Sequence, residues 1–88
     1  MKKYKWTTDC EDTLHTVILC VSRLSGKTLV SIDGKKYDIS VPPFSYLKER
    51  REPFRLGEET QGLLVIPPFH APRLIVDGED VGAAEEYR

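Results

Sequence analysis

The side chains able to do chemistry in this chain are few and scattered. Ser25-Gly26-Lys27-Thr28 carries the Gly-Lys-Thr end of a phosphate-binding loop. Such a loop needs a glycine five residues before Gly26, and a helix after Thr28 whose amides and dipole hold phosphate. The earlier position is Val21 and a β-branched stretch follows Thr28, so nucleotide binding is not expected. His15, His70, Cys10 and Cys20 are the soft metal ligands. Structural zinc takes four ligands, mostly in close sequence pairs, and these stand apart, so neither a metal nor any other cofactor is expected. No Gly-x-Ser-x-Gly turn presents a serine nucleophile. Cys10 lies among Asp9, Glu11 and Asp12, whose charge opposes thiolate formation, and Cys20 lies inside an apolar run. The acidic pairs Glu58-Glu59, Glu79-Asp80 and Glu85-Glu86 read as turn and tail solvation. The chain is therefore not expected to be an enzyme.

Length and composition narrow the class further. Eighty-eight residues, 40% hydrophobic and 31% charged, make one small globular domain, 1–88, with an ordered core over 6–81 and a frayed tail over 82–88. Thirteen basic and 14 acidic residues leave a net charge of −1. A nucleic-acid binder held by phosphate contacts needs a clear basic excess, and the one basic knot, Lys48-Glu49-Arg50-Arg51, is diluted by its acids. The longest apolar run, Val17 to Val21, has five residues, against about 20 for a membrane helix. The basic start is followed by Thr7, Thr8 and Asp9 where a secretory signal would be apolar. A cytoplasmic protein with two free thiols is expected, with neither nucleic acid nor membrane as partner. Charge is uneven: residues 1–55 carry eleven Lys/Arg and seven Asp/Glu, residues 56–88 two and seven. Either the halves attract each other in the fold, or the surface dipole orients a charged partner.

The elements that must position these residues read as strands. Leu29 to Ile32, Asp33-Gly34 and Lys35 to Ile39 form a two-residue hairpin, since both turn positions favour φ > 0. That loop sets Ile32 opposite Lys35, Val30 opposite Tyr37 and Thr28 opposite Ile39. A second two-residue loop at Ser25-Gly26 would set Val21 opposite Val30 and Leu19 opposite Ile32. Val17, Leu19, Val21, Val30, Ile32, Tyr37, Ile39 and Val41 then share one face of a three-stranded meander over about 14–41. Ile18, Cys20 and Leu29 fall on the other face, either under a second layer or as an exposed patch for a partner. Gly62 to Ile66 reads as a buried strand, Pro53 to Gly57 as a short strand beginning at its proline, and Arg73 to Val81 as a second Asp-Gly hairpin. Residues 45–52 fit either a short helix or an edge strand guarded by charge.

Val41-Pro42-Pro43-Phe44 and Ile66-Pro67-Pro68-Phe69 echo one another, each a strand exit with a phenylalanine just beyond it. Phe44 and Phe69 either plug the ends of the core or, with His70, form an aromatic contact site.

The segments Ser25 to Lys35, Phe54-Arg55-Leu56-Gly57 and Leu74 to Val81, with Trp6 upstream, are similar to one domain of the Fas apoptotic inhibitory molecule family. That family usually has a tryptophan in the middle linker, where this chain has Pro42-Pro43-Phe44-Ser45-Tyr46, and its members carry two such domains where this chain has room for one. The resemblance implies a β-sandwich and a non-enzymatic, protein-contacting role, and it carries over no catalytic residue.

The expected fold is all-β, an antiparallel sandwich or rolled sheet of about six to seven strands. An α+β arrangement, with residues 45–52 as a helix over one sheet, is the alternative. The expected function is a non-catalytic interaction domain whose partner is a protein or a second copy meeting an edge strand. The alternatives are a small-ligand or peptide-binding domain using Phe44, Phe69 and His70, and a thiol or metal role for Cys10 and Cys20.

Overall fold

A computed structural model describes residues 2–22, 24–43, 47–82 and 84–87. They form nine strands: β1 (Lys2–Cys10), β2 (Thr13–Val21), β3 (Thr28–Ile32), β4 (Lys35–Asp38), β5 (Arg50–Leu56), β6 (Thr60–Ile66), β7 (Arg73–Val76), β8 (Glu79–Asp80) and β9 (Glu85–Tyr87). Two antiparallel sheets result, one ordered β4-β3-β2-β1-β9 and the other β5-β6-β7-β8. The fold is an all-β sandwich in which each sheet is a four-stranded meander and β9 returns to pair with β1. No helix among the described residues is long and apolar enough to cross a membrane.

The local chemistry accounts for the meanders. Glu11-Asp12, Asp33-Gly34 and Asp77-Gly78 all have positive φ at both turn positions, as the tight turns between twisted strands demand. The two Asp-Gly turns are built alike. The Asp33 amide donates to the Thr16 carbonyl at 2.9 Å while Asp33 Oδ1 accepts the Thr16 amide at 2.8 Å. The Asp77 amide donates to the Gln61 carbonyl at 2.9 Å, and Asp77 Oδ1 accepts the Gln61 amide at 3.0 Å. Each aspartate therefore ties its hairpin to the strand before it.

The core lies between the sheets. Tyr4, Trp6, Val17, Leu19, Val21 and Val30 from one sheet meet Leu56, Leu64, Ile66 and Leu74 from the other. In β1 and β2 these buried residues alternate with more exposed ones, the period-two pattern of a strand buried on one face. β6 is buried on both faces at Val65, whose cross-strand neighbours are Arg51 and Arg73.

Several expectations are corrected. The β3–β4 register is as expected, with Val30 opposite Tyr37 and Ile32 opposite Lys35. The β2–β3 register is not: Leu19 faces Val30, Val21 faces Thr28 and Val17 faces Ile32. The connection is a six-residue loop over 22–27 closed by Gly26 N to Ser22 O and Ser22 N to Lys27 O, both 2.9 Å, in place of a two-residue turn. The slip is two residues, which preserves side-chain parity, so the shared apolar face survives it. Among the described residues strands number nine where about six to seven were expected. The additional β1 runs from Lys2, ahead of the expected core, and the tail expected to fray contains β9, paired Lys3 to Tyr87 and Lys5 to Glu85. Lys2 Nζ lies 3.5 Å from Glu86 Oε1, so here the basic first half does meet the acidic second half. Of residues 45–52, weighed as a short helix or a charge-guarded edge strand, 50–52 open the edge strand β5, as the second of these readings expects; residues 44–46, and with them Phe44, lie outside the described residues. Finally, among the described residues no second layer covers Ile18, Cys20 and Leu29. The second sheet packs on the opposite face, and these three sit half-buried on the outer face near Lys3 and Lys36.

Candidate functional site

The two sheets are stapled at both ends by charged side chains that reach from one sheet to the other. At one end Glu11, on the β1–β2 turn, reaches the β5–β6 loop. Its Oε2 accepts hydrogen bonds from Thr60 Oγ1 at 2.7 Å, Thr60 N at 3.1 Å and Glu59 N at 3.2 Å, and its Oε1 accepts one from Glu58 N at 3.3 Å. These donors, the Thr60 hydroxyl foremost, hold the Glu11 carboxyl below its ordinary range. Gly57 makes this approach possible, since a Cβ there would stand 2.6 Å from Glu11 Oε2. At the other end Arg50 of β5 crosses to the first sheet. Its Nη1 donates to Thr28 Oγ1 at 2.9 Å, and its Nη2 donates to the Ile39 carbonyl at 2.6 Å and to Glu52 Oε1 at 3.1 Å.

Between the staples, along the side where β4 and β5 are the outer strands, the sandwich is open. A cleft of about 340 Å³ separates Ile32, Tyr37 and Ile39 from Pro53, Phe54 and Leu64, with Glu52 and Arg55 at its polar margin. The two lips differ. Pro53 has no amide hydrogen, and a proline within a sheet sits with its nitrogen facing away from the ladder, so β5 is a blocked edge. β4 is an open edge. The Ile39 amide donates to the Thr28 carbonyl at 2.9 Å. Antiparallel ladders alternate, so Tyr37 and Lys35 likewise bond to Val30 and Ile32 of β3, and the main-chain N–H and C=O of Lys36 and Asp38 point outward.

The residues singled out from the sequence are not brought together. Phe69 lies in the β6–β7 loop with 72% of its surface exposed and φ of 63°, and His70 beside it is exposed too, so Phe69 is not a core plug. Cys10 faces Thr13 near the β1–β2 turn, while Cys20 faces Lys3 at the far end of the hairpin, about 24 Å away at the usual strand rise. Both are free thiols, and the separation is beyond disulfide reach. Among the described residues no group of three or more His, Cys, Asp or Glu is gathered. His15 is buried on the inner face of β2, its Nδ1 2.6 Å from Asp33 Oδ2 and its Nε2 without a partner. That contact holds the Asp33 carboxyl below its ordinary range. The amides of the Gly-Lys-Thr segment are taken up internally: Gly26 N bonds Ser22 O, Lys27 N bonds Ser25 Oγ, and Thr28 N bonds Ser40 Oγ at 2.9 Å. Several turn carboxylates are likewise occupied as main-chain acceptors, Asp38 for Ser40 N and Asp80 for Gly82 N, both at 2.9 Å.

Comparison with protein-family models, with curated proteins and with solved structures finds no match to this chain.

Sequence reasoning missed β1, the two staples and the cleft. The signal for β1 was present: Tyr4 and Trp6 alternate with Lys3, Lys5 and Thr7. The staples and the cleft depend on which strand ends face each other across the core, which local pattern does not encode.

Proposed function

We propose that this chain is a non-catalytic interaction module whose contact surface is the β4 edge together with the apolar cleft beneath it. The outward main-chain groups of Lys36 and Asp38 carry this reading, because they border a cleft lined by Ile32, Tyr37, Pro53 and Phe54. A guest strand added to β4 gains main-chain hydrogen bonds, and its alternate side chains enter the cleft. A non-enzymatic role fits the carboxylates that hold turns and the staples that hold sheets. The sequence resemblance to the Fas apoptotic inhibitory molecule family would imply the same protein-contacting role. Two separate thiols suit a reducing compartment such as the cytoplasm.

The test is a titration with a short peptide of alternating valine and threonine, followed by amide chemical shifts. Shifts centred on Lys36, Asp38 and the cleft residues, lost in Lys36→Pro, are expected. Proline is tolerated at an outward-facing edge position, so that variant should keep the fold. Shifts centred on Phe69 and His70 instead would move the contact surface to the sheet end.

A further inference from the structure

We infer that the strand added to β4 is the β4 of a second copy, giving a two-fold symmetric dimer with a continuous sheet; this deepens the edge-pairing reading above and rests on it. β4 reads Lys35-Lys36-Tyr37-Asp38, and only Lys36 and Asp38 turn their main-chain groups outward. In an antiparallel pair, residues that exchange hydrogen bonds must both face the partner strand. Three registers satisfy this for two copies of β4. Lys36 against Lys36 sets like charges opposite, and Asp38 against Asp38 does the same, both of which disfavour pairing. Lys36 against Asp38 sets opposite charges together twice, because the two-fold axis then passes through Tyr37 and generates both pairs.

That register is satisfied on every face of the strand. Four main-chain hydrogen bonds form, two at each Lys36–Asp38 position. Both ion pairs lie on the outer face. The two Tyr37 side chains meet as a non-hydrogen-bonded pair, the closer kind, on the inner face at the mouth of the cleft. Tyr37 is 43% exposed in the single chain and available for this contact. The Asp38 carboxylate is already held in place: its Oδ1 accepts Ser40 Oγ at 2.6 Å and Ser40 N at 2.9 Å. A charge on an edge strand ordinarily discourages edge-to-edge association, and here Lys36 and Asp38 each do so in the register that sets them against themselves. The interface is isologous, so it closes at two copies and does not propagate. Among the described residues the other edges are poorer: β8 and β9 have two and three residues, and β5 carries Pro53.

The experiment is sedimentation equilibrium of the full chain over a wide concentration range, with amide hydrogen exchange in parallel. A monomer–dimer equilibrium is expected, with protection at the Lys36 and Asp38 amides that rises with concentration. Lys36→Asp sets carboxylates opposite one another twice and should raise the dissociation constant about tenfold or more. Asp38→Lys should do the same, and the double variant Lys36→Asp/Asp38→Lys, which restores opposite charges with the signs exchanged, should regain dimerisation. Asp38→Lys also removes the Ser40 contact, so Lys36→Pro serves as an independent edge block that leaves Asp38 intact. A chain that stays monomeric while the valine–threonine peptide still shifts Lys36 and Asp38 overturns the self-pairing and leaves the edge as a site for another protein. A chain that stays monomeric and ignores the peptide overturns both. Dimers that survive Lys36→Pro place the interface elsewhere and overturn the β4 pairing.

Discussion

Glu11 Oε2 accepts a hydrogen bond from Thr60 Oγ1 at 2.7 Å, joining the tip of one sheet to the first strand residue after a loop of the other. The contact spans 49 positions in sequence and is matched at the opposite end by Arg50. One staple is an acid of the first sheet among amides of the second, and the other is a base of the second sheet among oxygens of the first.

Acid should loosen the Glu11 staple. The folded carboxyl titrates below its ordinary value of 4.5, so its contribution to stability is complete above that value and is lost as pH falls through the folded one. Asp33 and Asp38, held below 3.8 by His15 and Ser40, act in the same sense. Chemical denaturation at a series of pH values should show stability falling below about pH 5, and falling less in Glu11→Gln. Equal slopes for the variant and the parent would mean that the staple is not ionised or not formed.

Gly62→Ala should destabilise by about 1–3 kcal/mol. The Phe54 ring covers Gly62 across the strand pair, and a Cβ there would stand 2.5 Å from ring carbon Cζ. The ring must then swing into the cleft. Urea denaturation measures the loss, and Phe54→Ala in the same background should reduce the penalty of the glycine change.

Truncations along the apolar face should rank by burial. Leu19→Ala, at a fully buried site, is expected to cost about 2–5 kcal/mol. Ile32→Ala, half-buried at the cleft, should cost less. The reverse order in denaturant midpoints would mean that the cleft is closed and Ile32 is part of the packed core.

Phe69→Gly should leave stability unchanged or raise it by about 1 kcal/mol. A non-glycine residue at φ of 63° carries strain that glycine does not, and the ring is mostly exposed. A thermal melt decides it: a large drop in Tm would show that the phenylalanine supports its loop.

The meander around Asp33-Gly34 was legible because turn type and alternation agreed, and the Arg73–Val81 hairpin was legible for the same reason. The loop over 22–27 was misread because Ser25-Gly26 looks locally like a two-residue turn. In fact Gly26 lies at the end of a longer loop, where its carbonyl accepts the Val41 amide at 2.9 Å. β9 was missed because Glu85 and Glu86 are poor strand formers alone, and become strand against the lysines of β1. Phe69 and His70 stood out in the sequence as aromatics after prolines, whereas Lys36 and Asp38 looked like ordinary surface charge. Their significance lies in which way their peptide groups point, a property of register and not of composition.

The return of β9 to β1 has a consequence for how the chain is made. All other strand pairings join neighbours in sequence, so they close short loops and can zip within microseconds to milliseconds once their residues are available. β9 alone must find a strand synthesised long before it. At translation rates of about 5–20 residues per second, β1 waits roughly 4–15 seconds with one flank uncovered and its row of lysines unmatched. For that interval the first sheet of the emerging chain is bordered by β4 and the nine-residue β1, and the late arrival of β9 replaces part of the second border with a three-residue strand paired to Lys3–Lys5.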